Sequence, residues 1–138
     1  MKYWLIKSEP GAWSWEDQMS SPKKSTEWDG VKNHQANNNL KAMKKGDRCF
    51  FYHSVKEKTI VGIVEVVKEW EPDQNTPDDP WGYPTVKALT AVKNPVTLAD
   101  IKAKASLKDM VLVNNSRLSV QPVKAAEWKT VCKMAGVD

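Results

Sequence analysis

Apolar residues recur along the chain in short runs, and the period of each run predicts its element. Tyr3-Trp4-Leu5-Ile6-Lys7-Ser8 is rich in β-formers and stops at Pro10-Gly11, which predicts a buried strand ending in a loop. In Arg48-Cys49-Phe50-Phe51-Tyr52-His53-Ser54, alternation puts Phe50, Tyr52 and Ser54 on one face and Phe51 and His53 on the other. Residues 59–67 are β-branched on both faces and predict a central strand, paired with its predecessor as a hairpin through Lys56-Glu57-Lys58. Gly62 inside it marks a bulge or the close approach of another backbone. A further strand is predicted over 85–92, where Val86, Ala88, Thr90 and Val92 alternate.

Helical spacing is visible elsewhere. Ala36, Leu40 and Met43 predict a helix over 34–43, closed by Lys44-Lys45-Gly46-Asp47. Its Asn37-Asn38-Asn39 is poor helix material, so either the helix is weak or those side chains serve another purpose. Ser14-Trp15-Glu16-Asp17 and Thr97-Leu98-Ala99-Asp100 both read as capping boxes, and Ser20-Ser21-Pro22 halts the first helix. A last helix over 124–134 shows Ala125, Trp128, Val131 and Cys132 as one apolar core stripe and ends at Gly136. Residues 71–84 hold four prolines among acids and predict a long loop, with Trp81 and Tyr83 as an exposed aromatic pair. The sum is an α+β fold: a small bent sheet or open barrel of about five or six strands, with short helices at its ends.

Composition narrows the class. A chain of 138 residues is expected to form one domain, residues 1–138, with a core that needs no metal or disulfide. The net charge of +4 leans towards an anionic partner, and its distribution says more. Residues 1–68 balance at +4, residues 69–79 at −5 and residues 80–138 at +5, so the acidic stretch should lie away from any phosphate backbone. Cys49 and Cys132 are far apart without CxxC spacing and read as buried thiols; with no signal peptide and no membrane-length apolar run, a reducing cytoplasmic setting is expected.

Four polar clusters at element ends are the candidate walls of a site. They are Lys7-Ser8-Glu9, residues 28–37, residues 51–54, and residues 116–120. They offer stacking surfaces (Trp28, Tyr52, with Trp81 as a further candidate), edge readers (Ser8, Asn33, His34, His53, Ser54, Ser119) and cations (Lys7, Lys32, Arg117). A flipped nucleobase is recognised with such parts, its ring against an aromatic plate and its edge hydrogen-bonded. Chemistry of other kinds lacks its signature: the zinc-deaminase HxE…PCxxC pattern, a G-x-S-x-G elbow and a Gly-rich phosphate loop are all missing, and no metal or cofactor is expected. An enzyme using Asp29, Glu9 or His53 as acid–base, and a pocket for a free nucleoside-like metabolite, stand as alternatives to a non-catalytic reader.

Five ordered motifs carry a resemblance. Trp4-Leu5-Ile6-Lys7-Ser8-Glu9-Pro10, Trp28-Asp29-Gly30-Val31-Lys32-Asn33, Phe51-Tyr52-His53-Ser54, Gly62-Ile63-Val64 and Ser116-Arg117-Leu118-Ser119-Val120 resemble, in this order, the motifs of the EVE-domain family. The resemblance implies a PUA-like bent β-barrel, related to YTH and ASCH domains, whose pocket binds modified nucleobases, with modified cytosine in DNA the favoured ligand and a modified base in RNA the other. By motif, the pocket would draw on Lys7, Ser8, Trp28, Val31, Asn33, Phe51, Tyr52, His53, Ser54, Arg117, Leu118 and Ser119; a non-catalytic reader would add the cations Lys32 and Arg117 near the phosphate. Family members commonly carry Arg, Tyr and Arg where this chain has Lys32, His34 and Asn37. A bacterial-type, single-domain, monomeric member is the expectation.

Overall fold

Strand pairing is continuous across the molecule, and the computed structural model describes it over residues 1–137. The strands are β1 (Tyr3–Ser8), β2 (Ser25–Glu27), β3 (Arg48–His53), β4 (Thr59–Pro72), β5 (Gly82–Thr97) and β6 (Val120–Val123). They form one sheet in the order β2-β5-β4-β3-β1-β6, with β1 and β3 parallel and every other neighbour antiparallel. The helices are α1 (Trp15–Ser20), α2 (His34–Ala42), α3 (Leu98–Ala103), α4 (Val111–Asn114) and α5 (Ala125–Ala135). Because β2 and β6 are opposite edges, the sheet is bent but open, not a closed barrel.

The period-two pattern separates two cores. Leu5, Phe50, Tyr52, Ile60 and Ile63 face one way and pack with α3, α4 and α5 through Ile101, Leu112, Trp128 and Val131. Trp4, Ile6, Cys49, Phe51, Val64 and Val66 face the other way and pack with Trp15, Trp28, Ala36, Leu40 and Met43. Of the stripe expected on α5, Trp128, Val131 and Cys132 are buried, while Ala125 is exposed and Ala135 takes its place. An added residue in β4, Val61, shifts its faces: Tyr52 pairs with Ile60 but Phe51 with Gly62, so Ile60 and Ile63 share one core. Gly62 is also a point of close approach, but to a ring: a Cβ there would collide with the Trp15 indole.

Two strands are longer than expected. β4 and β5 continue past residues 67 and 85 into the proline-rich stretch, pairing Glu71 with Tyr83 and Pro72 with Gly82. Prolines fit because the register is irregular between Lys68 and Glu71, where Pro84 needs no ladder donor. The loop is thereby shortened. Its far end is pinned by Asn37, which donates through Nδ2 to the Pro80 carbonyl (2.9 Å) and accepts from Trp70 Nε1 (3.1 Å). Asn39 in turn donates to the Val120 carbonyl on β6 (2.7 Å). The asparagine run of α2 is therefore used to fasten neighbouring chain to the helix.

Both capping boxes form, Ser14 with Asp17 and Thr97 with Asp100. The β1–β3 pair is set by Asp47, a buried carboxylate just before β3. Its Oδ1 accepts from the Lys2 amide, and its Oδ2 from Trp4 Nε1 and the Lys44 amide, all at 3.0 Å. Burial alone would raise its pKa; the hydrogen bonds from Lys2, Lys44 and Trp4 outweigh that and hold it below the usual carboxylate value. A depressed folded pKa means the stabilisation is complete above the unfolded value of about 3.9 and is lost as pH falls through the lower folded value. Asp47→Asn sets an NH2 group against one of these donors and is expected to cost about 1–3 kcal/mol. Denaturant unfolding should show that gap between variant and wild type at neutral pH and its narrowing in strong acid; a gap independent of pH would refute the ionised clamp.

Candidate functional site

At the C-terminal ends of β1 and β3 the chain opens into two cavities that share one partition. The larger, about 490 Å³, is lined by Lys7, Ser8, Glu9, Ala12, Trp13, Thr26, Glu27, Trp28, Asp29, Gly30, Val31, Lys32 and Ser119. The other, about 410 Å³, is lined by Lys7, Tyr52, Ser54, Val55, Lys58, Leu98, Leu112, Ser116, Arg117 and Ser119. Both volumes are of small-ligand size. Lys7 and Ser119 belong to both linings, and the Lys7 amide donates to the Ser119 carbonyl at 2.9 Å.

The larger cleft is held open by local chemistry. Trp28 continues from β2, its amide bonded to the Pro84 carbonyl (2.9 Å), and its ring meets Phe51 edge-on at 5.5 Å. Gly30 then turns the chain at φ 77, a conformation that suits glycine, and Asn33 caps α2 by accepting from the Ala36 amide at 2.9 Å. On the facing wall the Ser8 hydroxyl donates to the Trp13 carbonyl, and Trp13 Nε1 donates to the buried Gln18 (2.9 Å). Lys7 is tethered to the Ser116 carbonyl and lies over the Tyr52 ring at 5.7 Å. Burial lowers the Lys7 pKa and raises that of Tyr52.

The residues singled out in the sequence thus divide. Lys7, Ser8, Trp28, Val31, Lys32 and Ser119 come together in the larger cleft, while Tyr52, Ser54 and Arg117 line the second cavity. Phe51 and Leu118 are core residues, packed on Trp15, Trp28 and their neighbours, and neither lines a cavity. His53 is buried and fully engaged: its Nε2 accepts from the Trp15 amide (3.0 Å) and its Nδ1 meets Glu57 Oε1 (3.0 Å). That places the ring proton on Nδ1 and removes His53 both as an edge reader and as a free acid–base. Asn33 gives its side-chain oxygen to the cap and lines neither cavity, and His34 lies outside both cavities against Trp81, ring centroids 4.9 Å apart. Lys32 approaches the same ring, 5.6 Å from its centroid.

Ala12, Trp13, Thr26 and Glu27 line the cleft beyond the residues expected from the sequence. β2 is three residues long and carries no periodicity, so nothing marked Thr26 and Glu27. Trp13 had a signal: an unassigned Trp directly before the cap Ser14, two residues after a Pro-Gly turn. Neither thiol is a nucleophile: burial and the Asp47 charge push Cys49 up, and burial pushes Cys132 up to about 11.

An open bent mixed sheet with helices on both faces and a cleft at the end of its parallel pair defines a PUA-like domain. The chain belongs to the EVE domain family, whose model matches residues 2–134. It is similar to thymocyte nuclear protein 1 of Homo sapiens, 38% identical over 96% of this chain and 73% of that protein. The crystal structure of a protein from Agrobacterium tumefaciens is 46% identical, covering 99% of this chain and 94% of that one, with a TM-score of 0.95. The human THYN1 protein, in complex with 5-methylcytosine containing DNA, is 36% identical with a TM-score of 0.89, over 100% of this chain and 99% of that one. The YTH domain of Zygosaccharomyces rouxii MRB1 protein shares the fold at 16% identity and a TM-score of 0.59, over 97% of this chain and 86% of that one.

Trp28 is both cleft wall and core, only 8% exposed. Trp28→Ala is therefore expected to destabilise the protein by about 3–5 kcal/mol, read from denaturant unfolding. A loss below about 1 kcal/mol would mean that the ring is not core.

Proposed function

We propose that this chain is a non-catalytic reader of a modified nucleobase bearing an exocyclic amine, flipped out of DNA or RNA into the larger cleft. The lining of that cleft carries the reading. It pairs apolar and aromatic wall (Trp13, Trp28, Val31) with three carboxylates, Glu9, Glu27 and Asp29, against two lysines, Lys7 and Lys32. A phosphate would be poorly placed there, whereas the N4 amine of cytosine donates well to carboxylates. Ser8 and Ser119 supply further edge contacts, and Lys32, at the rim, faces the backbone. The human THYN1 protein, held with 5-methylcytosine containing DNA, shares the whole of this fold and supports modified cytosine as the ligand.

The remaining features fit a small monomeric module in a reducing compartment such as the cytoplasm. Both cysteines are buried and unpaired, and among the described residues the exposed large hydrophobics are Met1, Val55 and Leu89. No helix of the described residues is long and apolar enough to cross a membrane.

The test compares fluorescence polarisation of oligonucleotides that differ only in one 5-methylcytosine, with the recovered strand weighed by mass spectrometry. About tenfold tighter binding of the modified strand is expected, with its mass unchanged. Equal affinities would remove the reader assignment, and a changed mass would make the protein an enzyme.

A further inference from the structure

The second cavity has the opposite chemistry from the cleft beside it. Its lining holds three cations, Lys7, Lys58 and Arg117, and no carboxylate. The cleft across the partition holds two cations against three carboxylates. Lys58 and Arg117 thus lie on one side of a boundary formed by Lys7 and Ser119, which line both cavities. Cations left without counter-ions repel each other, so their convergence has to be enforced by the fold.

That enforcement is visible. Lys7 is held by the Ser116 carbonyl and the Tyr52 ring. Lys58 sits in the β3–β4 hairpin, whose backbone is left-handed at Val55 (φ 69) and Lys58 (φ 48). A β-branched residue in that region is strained, and such strain collects at ligand clamps. Val55 is 62% exposed, so no core packing offsets its conformation. The Lys58 carbonyl accepts from the Leu98 amide at 2.8 Å, which fastens the hairpin to α3 and keeps Lys58 at the cavity.

We propose that this second cavity is a phosphate subsite, with Lys58 and Arg117 as its outer arms and Lys7 as its inner cation, taking the backbone phosphate next to the flipped nucleotide. A base and its phosphate are joined through a single sugar, which suits two chambers that share Lys7 and Ser119. The source of the phosphate rests on the base-reader reading. The preference for a phosphate rests on this cavity alone.

Two half-ligands separate these claims. The full-length protein, 15N-labelled, is titrated with 2-deoxyribose 5-phosphate, which has no base, and separately with 5-methyl-2′-deoxycytidine, which has no phosphate. The sugar phosphate is expected to move the amides of Val55, Lys58 and Arg117 and to leave the Trp28 indole N–H in place; the nucleoside does the reverse. Lys58 and Arg117 are exposed, so Lys58→Ala and Arg117→Ala keep the fold. Each should weaken sugar-phosphate binding several-fold and lower the salt slope of oligonucleotide binding by about one. Unmoved amides at 55, 58 and 117, or unchanged affinity and slope in both variants, would overturn the subsite. A bound sugar phosphate with a silent nucleoside supports the subsite and discards the base-reader reading instead.

Discussion

The Asp47 carboxylate is the interaction on which the site depends. It joins the amide of Lys2, the indole of Trp4 and the amide of Lys44, and so brings the beginnings of β1 and β3 to one point. Parallel neighbours cannot be aligned by a tight turn, and here α1, β2 and α2 all intervene between them. With the start fixed, the register runs on to Lys7 opposite Tyr52 and Ser8 opposite His53. Slippage by one residue would send every side chain to the other core and dismantle both cavities at once. A buried charge tolerated at a strand start is thus traced directly to a functional geometry at the strand end.

Beyond that register, one step along β1 separates two kinds of chemistry. Lys7 continues the face of Leu5 and reaches over Tyr52, while Ser8 continues the face of Ile6 towards Trp13. The same alternation in β3 sends Tyr52 to the cationic cavity and commits Phe51 and His53 to supporting the aromatic wall. Phe51 is the centre of that support, edge-on to Trp15, Trp28 and His53. The larger cleft is therefore backed by packed aromatic rings where it meets the core.

Much of this is legible in the sequence. Richness in β-formers marks β1, the alternation of Phe50, Phe51, Tyr52 and His53 marks β3 and its two faces, and serine and threonine spacing marks the caps of α1 and α3. What escaped had physical reasons. β4 and β5 extend through prolines and acids because bulges excuse the missing ladder donors, and a local reading of proline cannot see a partner's irregularity. β2 is too short to show a period. The candidate residues share polarity and position at strand ends, which hides their division between two cavities, with Lys7 and Ser119 lining both. Asn37 and Asn39 show the converse, an odd composition whose purpose, holding loop and edge strand, became plain only with their partners.

The most direct test of the account is a crystal structure of this protein with an oligonucleotide that carries a single 5-methylcytosine. The account predicts the methylated base turned out of the strand and seated against Trp28, between Ser8 and Val31, with its amine towards Glu9, Glu27 or Asp29. A methylated base that remains stacked within the strand, or one that rests on Trp81 outside the cleft, would contradict it.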